Sequence, residues 1–378
     1  MSGFRKKVVI ATDCFLPRWD GIARFLADII PLLTDHFDIT IIAPDFKGEK
    51  DYEFDAKIIR IPLSDIKVGD FVSAKFEKKI IRDVIRDADV VWIHTLGAIG
   101  SLASMAAKKY HKPYSYYVHS IEWLLVSKAL SKRNIIRGPM NMLTKTWAKH
   151  ILNGAARVMV PSIEVKEIIR WNNITSKIDI VRLGIDVQKF IPTNKETAKD
   201  ELGISKNSFV VGYVGRLGRE KDILTLYRAF LSLSKRIPHL KLLIVGDGLL
   251  TFKEHMQKHD GVLLVGSQDN VVPYVQAMDV FVMPSLLETT CLATLEAMAC
   301  EVPVITTAVG LMKDYVQEKV NGLHFPNSNS LVLGLKIEWL HEDPYVRNEL
   351  AKRGRKTVVG EYNWDQTVQR VISLIKIL

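Results

Sequence analysis

The chain has 378 residues, a formal net charge of +10 and 48% hydrophobic residues. A chain of that length is too long to fold around one hydrophobic core of ordinary size, so two domains of roughly 180 residues are expected. No apolar run approaches the ~20 residues that cross a bilayer, and no leader is evident, which predicts a cytoplasmic protein without a membrane-spanning segment. Three scattered cysteines exclude a disulfide framework and a cysteine-based zinc site. The positive charge favours an acidic partner: a nucleotide diphosphate, anionic lipid or nucleic acid.

The first half of the chain alternates predicted strands with helices. Near-continuous apolar runs, typical of buried parallel strands, occur at residues 7–12, 37–43, 56–61, 90–94, 114–119, 158–161 and 178–183. The alternation predicts a doubly wound sheet, in which ligands bind beyond the carboxyl ends of the strands. His94 and His119 would lie at that edge, although a lone histidine is more often structural than catalytic.

Gly21 follows the first predicted strand and precedes an amphipathic helix at residues 22–34. A glycine turn at a helix N-terminus allows close approach to a phosphate or a sugar. A plain strand-to-helix turn is the equal alternative.

The stretch from Trp123 to Arg157 mixes basic, apolar and aromatic residues, and no acidic residue lies between Glu122 and Glu164. This composition is typical of an interfacial segment on an anionic membrane. A solvated helix face packed on its own domain is the equal alternative. No nucleic-acid-binding motif accompanies the charge, so no nucleic-acid partner is expected. The basic residues are Lys128, Lys132, Arg133, Arg137, Lys145, Lys149 and Arg157.

The second half repeats the plan of the first. A predicted strand at residues 209–213 runs into a glycine loop and then a helix at 222–233. Arg216 and Lys221 flank this loop, whose glycine spacing differs from the GxGxxG of a dinucleotide site.

The stretch at residues 281–307 reads as strand, loop, helix and strand. Glu288 would lie in the loop at the carboxyl end of the strand, beside the N-terminus of a helix expected to start near Thr290, where an anionic ligand is favoured. Glu296 falls in the second turn. The pair suits two ends of one elongated ligand better than one metal ion. The alternative is that Glu288 caps the helix and Glu296 faces solvent.

This stretch resembles the donor-site signature of the retaining GT-B glycosyltransferases of family 4, also called glycosyl transferases group 1. Family members usually carry Gly-Phe-Gly after the first glutamate, where this chain has Thr289, Thr290 and Cys291. The resemblance covers nearly the whole chain. The matching residues are Pro284, Ser285, Glu288, Glu296, Ala297, Met298 and Ala299.

The resemblance implies an α/β protein of the GT-B class, with two Rossmann-like doubly wound parallel-sheet domains and an interdomain cleft. The first domain, residues 1–187, would bind the acceptor, and the second, 188–359, the nucleotide sugar. A helix at about 360–378 would pack back on the first domain. Asp87 and Asp89 form a DxD pattern known from metal-dependent glycosyltransferases. They precede a strand, at the wrong end of the sheet for chemistry, so we expect only a helix-to-strand loop there.

The implied activity is transfer of a hexose from a nucleoside diphosphate sugar to a hydroxyl group, without a metal ion or a cofactor. Arg216 and Lys221 would clamp the diphosphate, because fixed cations stabilise the charge that develops on it. Glu296 would bind ribose hydroxyls, and Glu288 would hold the sugar and shield positive charge at its C1. His119 would hydrogen-bond the transferred sugar. The expected donor-binding set also contains Gly21, Gly215, Gly246, Gly248, Thr289, Thr290, Cys291 and Leu292.

The acceptor is expected to be a membrane lipid or a lipid-linked glycan, with the protein peripheral at the cytoplasmic face of the membrane. A soluble sugar or a polysaccharide is the alternative acceptor. Two other classes stay open: a nucleotide-sugar 2-epimerase, which needs no acceptor, and a non-catalytic nucleotide-sugar binder. The replacement of the family's Gly-Phe-Gly by Thr289, Thr290 and Cys291 makes a non-catalytic binder conceivable. The fold alone does not decide among these classes.

Overall fold

A computed structural model describes residues 5–18, 20–48, 54–68, 71–119, 121, 123, 134–288 and 290–378. The chain divides into two compact units, Met1–Arg182 with Thr367–Leu378, and Leu183–Gln366. Each unit contains one parallel sheet with helices between its strands. The expected pair of Rossmann-like domains is therefore present.

The first unit contains nine described strands and six described helices, counting the last helix of the chain. The strands are β1 Lys6–Ala11, β2 Phe37–Pro44, β3 Lys57–Ile61, β4 Leu63–Val68, β5 Phe71–Ala74, β6 Val90–Ile93, β7 Tyr114–Tyr117, β8 Arg157–Val160 and β9 Ile178–Ile180. The helices are α1 Gly21–Leu33, α2 Lys78–Arg86, α3 Ala98–Lys109, α4 Asn134–Gly154 and α5 Ile163–Trp171, and α14 Trp364–Lys376 joins this unit from Thr367 onward.

The sheet of the first unit has seven parallel strands in the order β3-β2-β1-β6-β7-β8-β9. The chain runs outward from β1 to β3 and then returns to place β6 against β1. This reversal is the topological switch point, where sheets of this kind bind ligands beyond the strand ends. The antiparallel pair β4–β5 was not predicted, because its strands carry polar residues such as Ser64 and Asp65.

The last helix packs within the first unit through one apolar face. Arg370 adds an ion pair to Asp179, with 3.2 Å between Nη2 and Oδ1, and the Thr367 hydroxyl donates to the Arg182 carbonyl at 2.8 Å. The buried residues of that face include Val368, Val371, Ile372, Leu374 and Ile375.

The second unit has six parallel strands in the order β12-β11-β10-β13-β14-β15, so its switch point lies between β10 and β13. The strands are β10 Phe209–Val214, β11 Leu240–Val245, β12 Val262–Gly266, β13 Val280–Met283, β14 Val304–Thr307 and β15 Leu323–Phe325. The helices are α6 Lys195–Glu201, α7 Ile223–Leu233, α8 Leu250–Met256, α9 Val272–Gln276, α10 Leu292–Ala299, α11 Met312–Tyr315, α12 Ser330–Glu342 and α13 Pro344–Glu361, with a 3₁₀ turn at Arg219–Lys221.

Two helices begin later than the sequence predicted. The helix expected near Thr290 starts at Leu292, because Cys291 has a left-handed backbone with φ of 55°. The helix expected from Asp222 starts at Ile223 for the same reason, since Asp222 has φ of 46°. Left-handed residues do not continue a right-handed helix.

The DxD pattern lies where the sequence predicted it. Asp87 follows α2, and the Asp89 carboxylate accepts from the Lys7 backbone N–H at 2.8 Å, at the amino end of β1. This is the edge of the sheet opposite the one where ligands bind.

Candidate active site

The loops after β10 and β13 meet at the switch point of the second unit. These strands are parallel neighbours, with Gly212 opposite Phe281. Lys221, from the first loop, forms a direct ion pair between its Nζ and Oε1 of Glu288, from the second loop. The side chains are only 19% and 9% exposed, respectively. The structure thus joins the predicted phosphate-binding cation to the predicted sugar-binding carboxylate.

Glu288 is also held by a serine at the end of the preceding strand. The Ser285 hydroxyl donates to Oε1 of Glu288 at 2.9 Å, and the Thr307 hydroxyl donates to the Ser285 carbonyl at 2.6 Å. Glu288 does not cap the following helix, whose N-cap position is Cys291 and has no side-chain cap. Sequence reasoning treated Ser285 only as part of a signature and missed its contact with the glutamate.

Arg216 lies at the solvent side of the same loop. Its side chain is 67% exposed, and its Nη2 lies 2.6 Å from Oε1 of Glu220. The Glu220 carbonyl accepts from the Leu286 N–H at 2.8 Å, which joins the two loops through their backbones. Exposed ion pairs contribute about 0–1 kcal/mol, so an anionic ligand could replace Glu220 as the partner of Arg216 at low cost. Sequence reasoning did not identify Glu220, although its spacing of four residues from Arg216 is a pairing signal.

Gly246 and Gly248 let a second loop pack against the backbone of the Arg216 loop. The Leu217 N–H donates to the Asp247 carbonyl at 2.8 Å. A Cβ on Gly246, where φ is 134°, would lie 2.0 Å from the Gly215 carbonyl oxygen, and one on Gly248 would lie 2.5 Å from that of Leu217. These glycines therefore fix the position of the Arg216 loop, and a direct contact with the donor stays a prediction.

Glu296 lies in the second turn of α10 and is 1% exposed. The alternative that it faces solvent is therefore wrong. Burial of a carboxylate is costly and is typical of a structural or functional constraint. Leu292 is the first residue of the same helix, and Thr289 lies outside the described residues.

Cys291 shapes the backbone at the start of α10. Its sulfur lies 3.2 Å from the Thr294 hydroxyl, and burial together with the nearby Glu288 raises the pKa of its thiol to about 12. The Tyr315 hydroxyl donates to the carbonyl oxygens of Thr290 and Cys291, at 2.9 and 3.1 Å. Tyr315 thus holds the backbone of Thr290 and Cys291, and the Cys291 thiol stays protonated near neutral pH.

His94 and His119 lie just beyond β6 and β7, at the carboxyl edge of the sheet in the first unit. Nδ1 of His94 is 2.9 Å from Nε2 of His119. Burial lowers the pKa of His119 to about 3 and that of His94 well below its usual value. Sequence reasoning placed both residues at this edge but did not predict that they bond to each other.

Gly21 is the first residue of α1, and the N-terminus of this helix already has an acceptor. The Asp20 carboxylate accepts from the N–H groups of Ile22 and Ala23, at 3.0 and 2.9 Å. An anionic ligand at this N-terminus would meet a negative charge. The predicted donor contact of Gly21 stays a prediction.

The predicted membrane-binding stretch is described only in part, since Lys128, Lys132 and Arg133 lie outside the described residues. Helix α4 exposes the apolar side chains of Met142 (67%) and Leu143 (63%). In the portion of the chain that the structure describes, no helix is both long enough and apolar enough to cross a bilayer.

Two family profiles match the chain on either side of residue 190. The profile described as Glycosyltransferase Family 4 matches residues 19–189, and that described as Glycosyl transferases group 1 matches residues 194–357. The chain belongs to the family 4 glycosyltransferases. The resemblance drawn from the glutamate signature is therefore confirmed.

Curated relatives of this family 4 glycosyltransferase span nearly its full length. Alpha-monoglucosyldiacylglycerol synthase of Acholeplasma laidlawii is 25% identical, covering 92% of this chain and 91% of that protein. The UDP-Gal:alpha-D-GlcNAc-diphosphoundecaprenol alpha-1,3-galactosyltransferase of Escherichia coli is 27% identical, covering 99% of this chain and 98% of that protein.

A crystal structure of Anabaena HepE in complex with UDP has the same fold. It superposes with a TM-score of 0.79 at 17% identity and covers 99% of this chain and 100% of that one. The predicted GT-B class is thus confirmed, and the chain is a nucleotide-sugar glycosyltransferase. The roles of the individual site residues stay predictions.

Proposed function

We propose that this glycosyltransferase transfers a hexose, with retention of anomeric configuration, from a UDP-sugar or GDP-sugar to a hydroxyl group of a membrane lipid or lipid-linked glycan. No metal ion or cofactor takes part in the proposed reaction. The observation that carries this proposal is the contact between Lys221 and Glu288. In a nucleoside diphosphate sugar, C1 is bonded to an oxygen of the second phosphate. A cation for that phosphate and a carboxylate for C1 must therefore be neighbours.

Donor binding would exchange two ion pairs. The diphosphate replaces Glu288 as the partner of Lys221 and Glu220 as the partner of Arg216. Both cations then face the charge that grows on the leaving diphosphate, which lowers the barrier more than it strengthens ground-state binding. Glu288, still bonded to Ser285, turns to the sugar hydroxyls and to the positive charge at C1.

The remaining contacts extend this arrangement. Glu296 would bind the ribose hydroxyls, and His119 would hydrogen-bond the transferred sugar. Thr290, Cys291 and the start of α10 would supply backbone N–H groups near the sugar, since Cys291 stands where the family usually has glycine. Thr289 would belong to the same loop.

A lipid acceptor is supported by two independent observations. The name of the Acholeplasma relative specifies a monoglucosyldiacylglycerol as its product, and that of the Escherichia relative specifies alpha-D-GlcNAc-diphosphoundecaprenol as its acceptor. Helix α4 exposes Met142 and Leu143 beside Lys145 and Lys149, and apolar side chains next to lysines suit an anionic membrane surface. The protein would act at the cytoplasmic face of the membrane without spanning it.

Nucleoside diphosphate release tests the activity. A panel of UDP-, GDP- and ADP-sugars is assayed with and without a total lipid extract, with Arg216→Ala and Glu288→Ala as controls. Release from one donor, accelerated by lipid and abolished by both substitutions, supports the proposal. Release unaffected by lipid indicates a soluble acceptor, and release with an isomerised free sugar indicates an epimerase. If no donor releases nucleoside diphosphate, the result favours a non-catalytic nucleotide-sugar binder.

Vesicle flotation tests the membrane contact. We expect the protein to float with vesicles containing anionic lipid, and Lys145→Gln with Lys149→Gln to lower the binding constant for these vesicles about tenfold or more, since each lysine near such a surface contributes about 1 kcal/mol. The matched control is Lys352→Gln with Lys356→Gln on α13, which removes the same charge elsewhere. Equal losses in both double variants would contradict a contact through α4.

A further inference from the structure

The hydrogen bond between His94 and His119 contains one proton. Its two ends are Nδ1 of His94 and Nε2 of His119, 2.9 Å apart. A neutral imidazole has one nitrogen that donates and one that accepts. If one histidine donates along this bond, the other must accept, so the tautomer of each ring determines that of its partner.

The surroundings keep both rings neutral. The ring of Phe25 lies 6.0 Å from that of His94 and 5.2 Å from that of His119, and Tyr117 lies 4.5 Å from His119. The Tyr117 hydroxyl donates to the Val181 carbonyl at 2.8 Å, and its raised pKa keeps it uncharged. No ion pair to either histidine occurs in the described part of the chain. Desolvation therefore favours the uncharged form of both imidazoles.

The second nitrogen of His94 distinguishes the two tautomers. His94 is fully buried, and its Nε2 has no hydrogen-bond partner among the described residues. The Trp92 Nε1–H is likewise buried without a partner, and the two rings are 4.2 Å apart. A proton on Nε2 would leave both of these contacting rings with an unsatisfied buried donor. A lone pair on Nε2 avoids this, because buried unpaired N–H groups are rarer than under-used acceptors.

We propose that His94 is a positioning residue: it donates its Nδ1–H to Nε2 of His119 and so fixes His119 as the Nδ1–H tautomer. No other hydrogen bond to His119 occurs among the described residues, and its Nδ1 is not among the buried unpaired atoms. The Nδ1–H of His119 is thus left for a ligand. That it meets the transferred sugar rests on the proposed function, whereas the tautomer does not.

The fixed tautomer gives His119 one defined role in hydrogen bonding to its ligand. His119 offers a donor, not an acceptor, and therefore recognises an oxygen lone pair of its ligand. The opposite tautomer would present an unprotonated Nδ1 and would need a hydroxyl proton. His94 thus sets the polarity of the contact without touching the ligand.

Nitrogen-15 NMR of the histidine-labelled full chain at neutral pH tests the tautomer directly. We expect Nε2 of His119 to be unprotonated and Nδ1 to be protonated in the wild type. The reference variant is His94→Asp, whose carboxylate only accepts hydrogen bonds and therefore forces a proton onto Nε2 of His119. Its matched control is His94→Asn, which has the size of aspartate but retains an N–H donor. A wild-type His119 with a protonated Nε2 and an unprotonated Nδ1 overturns the proposal.

Kinetics test the consequence, using the donor selected by the release assay. The amide nitrogen of asparagine can occupy the place of Nδ1, and that of glutamine the place of Nε2. We expect kcat/KM of His119→Asn to exceed that of His119→Gln at least about tenfold, the effect of one hydrogen bond. The reverse order contradicts donation from Nδ1. If the wild type turns over no donor, the proposed function fails, while the NMR assignment still decides the tautomer.

Discussion

At the scale of single residues, the candidate site contains an ion pair between Lys221 and Glu288, which the proposed donor would separate. Glu288 is 9% exposed, so its carboxylate contacts Lys221 and Ser285 with little access to water. We expect Lys221→Met to lower the free energy of unfolding by about 3 kcal/mol, because removing one partner leaves a buried charge uncompensated. Urea unfolding measures the loss. The double variant Lys221→Met with Glu288→Gln should recover most of it, and equal stability of the single and double variants would contradict the account.

Cys291 carries a second residue-scale prediction. A side chain at φ of 55° is strained, and glycine relieves that strain. We expect Cys291→Gly to be about 1 kcal/mol more stable than Cys291→Ala, which also removes the thiol but retains Cβ. Urea unfolding of the two variants makes the comparison. An alanine variant as stable as the glycine variant would show that the left-handed backbone stores no strain.

At the scale of elements, two glycine loops hold the candidate phosphate site in place. A Cβ on Gly246 would lie 2.0 Å from the Gly215 carbonyl oxygen and would push the Arg216 loop away. We expect Gly246→Ala to lower kcat/KM for the donor about 100-fold, since a displacement of 1 Å costs about that much. The control is Gly334→Ala within α12, where nothing lies within 4 Å of the added Cβ. Donor kinetics equal to the wild type in both variants would contradict a positioning role for this turn.

The sequence predicts single strands and helices well but not the contacts that form between them. Strands such as β1, β10 and β13 were predicted because parallel strands buried on both faces are almost continuously apolar. The contact between Lys221 and Glu288 was not predicted, because the residues are 67 positions apart and meet only through the placement of β10 beside β13. The bond between His94 and His119 likewise depends on the pairing of β6 with β7. The start of α10 was misplaced because a left-handed cysteine has no clear sequence signal.

At the scale of the whole molecule, the two units differ in how the chain builds them. The second is one continuous segment, whereas the first is completed by Thr367–Leu378 at the far end of the chain. The gap between the two profile matches, at residues 190–193, lies a few residues after the start of the second unit at Leu183. The first unit also contains His94 and His119, whose pKa values are lowered.

We expect acid to destabilise the fold through these histidines. Their pKa values are lowered by burial, that of His119 from 6.5 to about 3, so the folded chain stays unprotonated there while the unfolded chain binds protons. The contribution of His119 to stability is complete above pH 6.5 and is lost as the pH falls toward 3, by about 1.4 kcal/mol per pH unit, and the lowered pKa of His94 acts in the same direction.

Urea unfolding at several pH values measures this slope. The variant His94→Asn with His119→Asn lacks both rings and should lose stability more slowly between pH 6.5 and pH 4.5. Parallel loss in the wild type and in this variant would assign the acid sensitivity to other groups.

The most direct test of the central claim compares nucleotide binding with transfer in two variants of the ion pair. The measurement is calorimetric binding of the nucleoside diphosphate whose sugar the enzyme uses, alongside the transfer rate. If the diphosphate replaces Glu288 on Lys221, Glu288→Gln should bind it about tenfold more tightly, because the competing carboxylate charge is gone, and should lose transfer almost completely. Lys221→Met should lose both binding and transfer. A Glu288→Gln variant that binds the nucleotide less tightly than the wild type, or that transfers at the wild-type rate, would contradict the account.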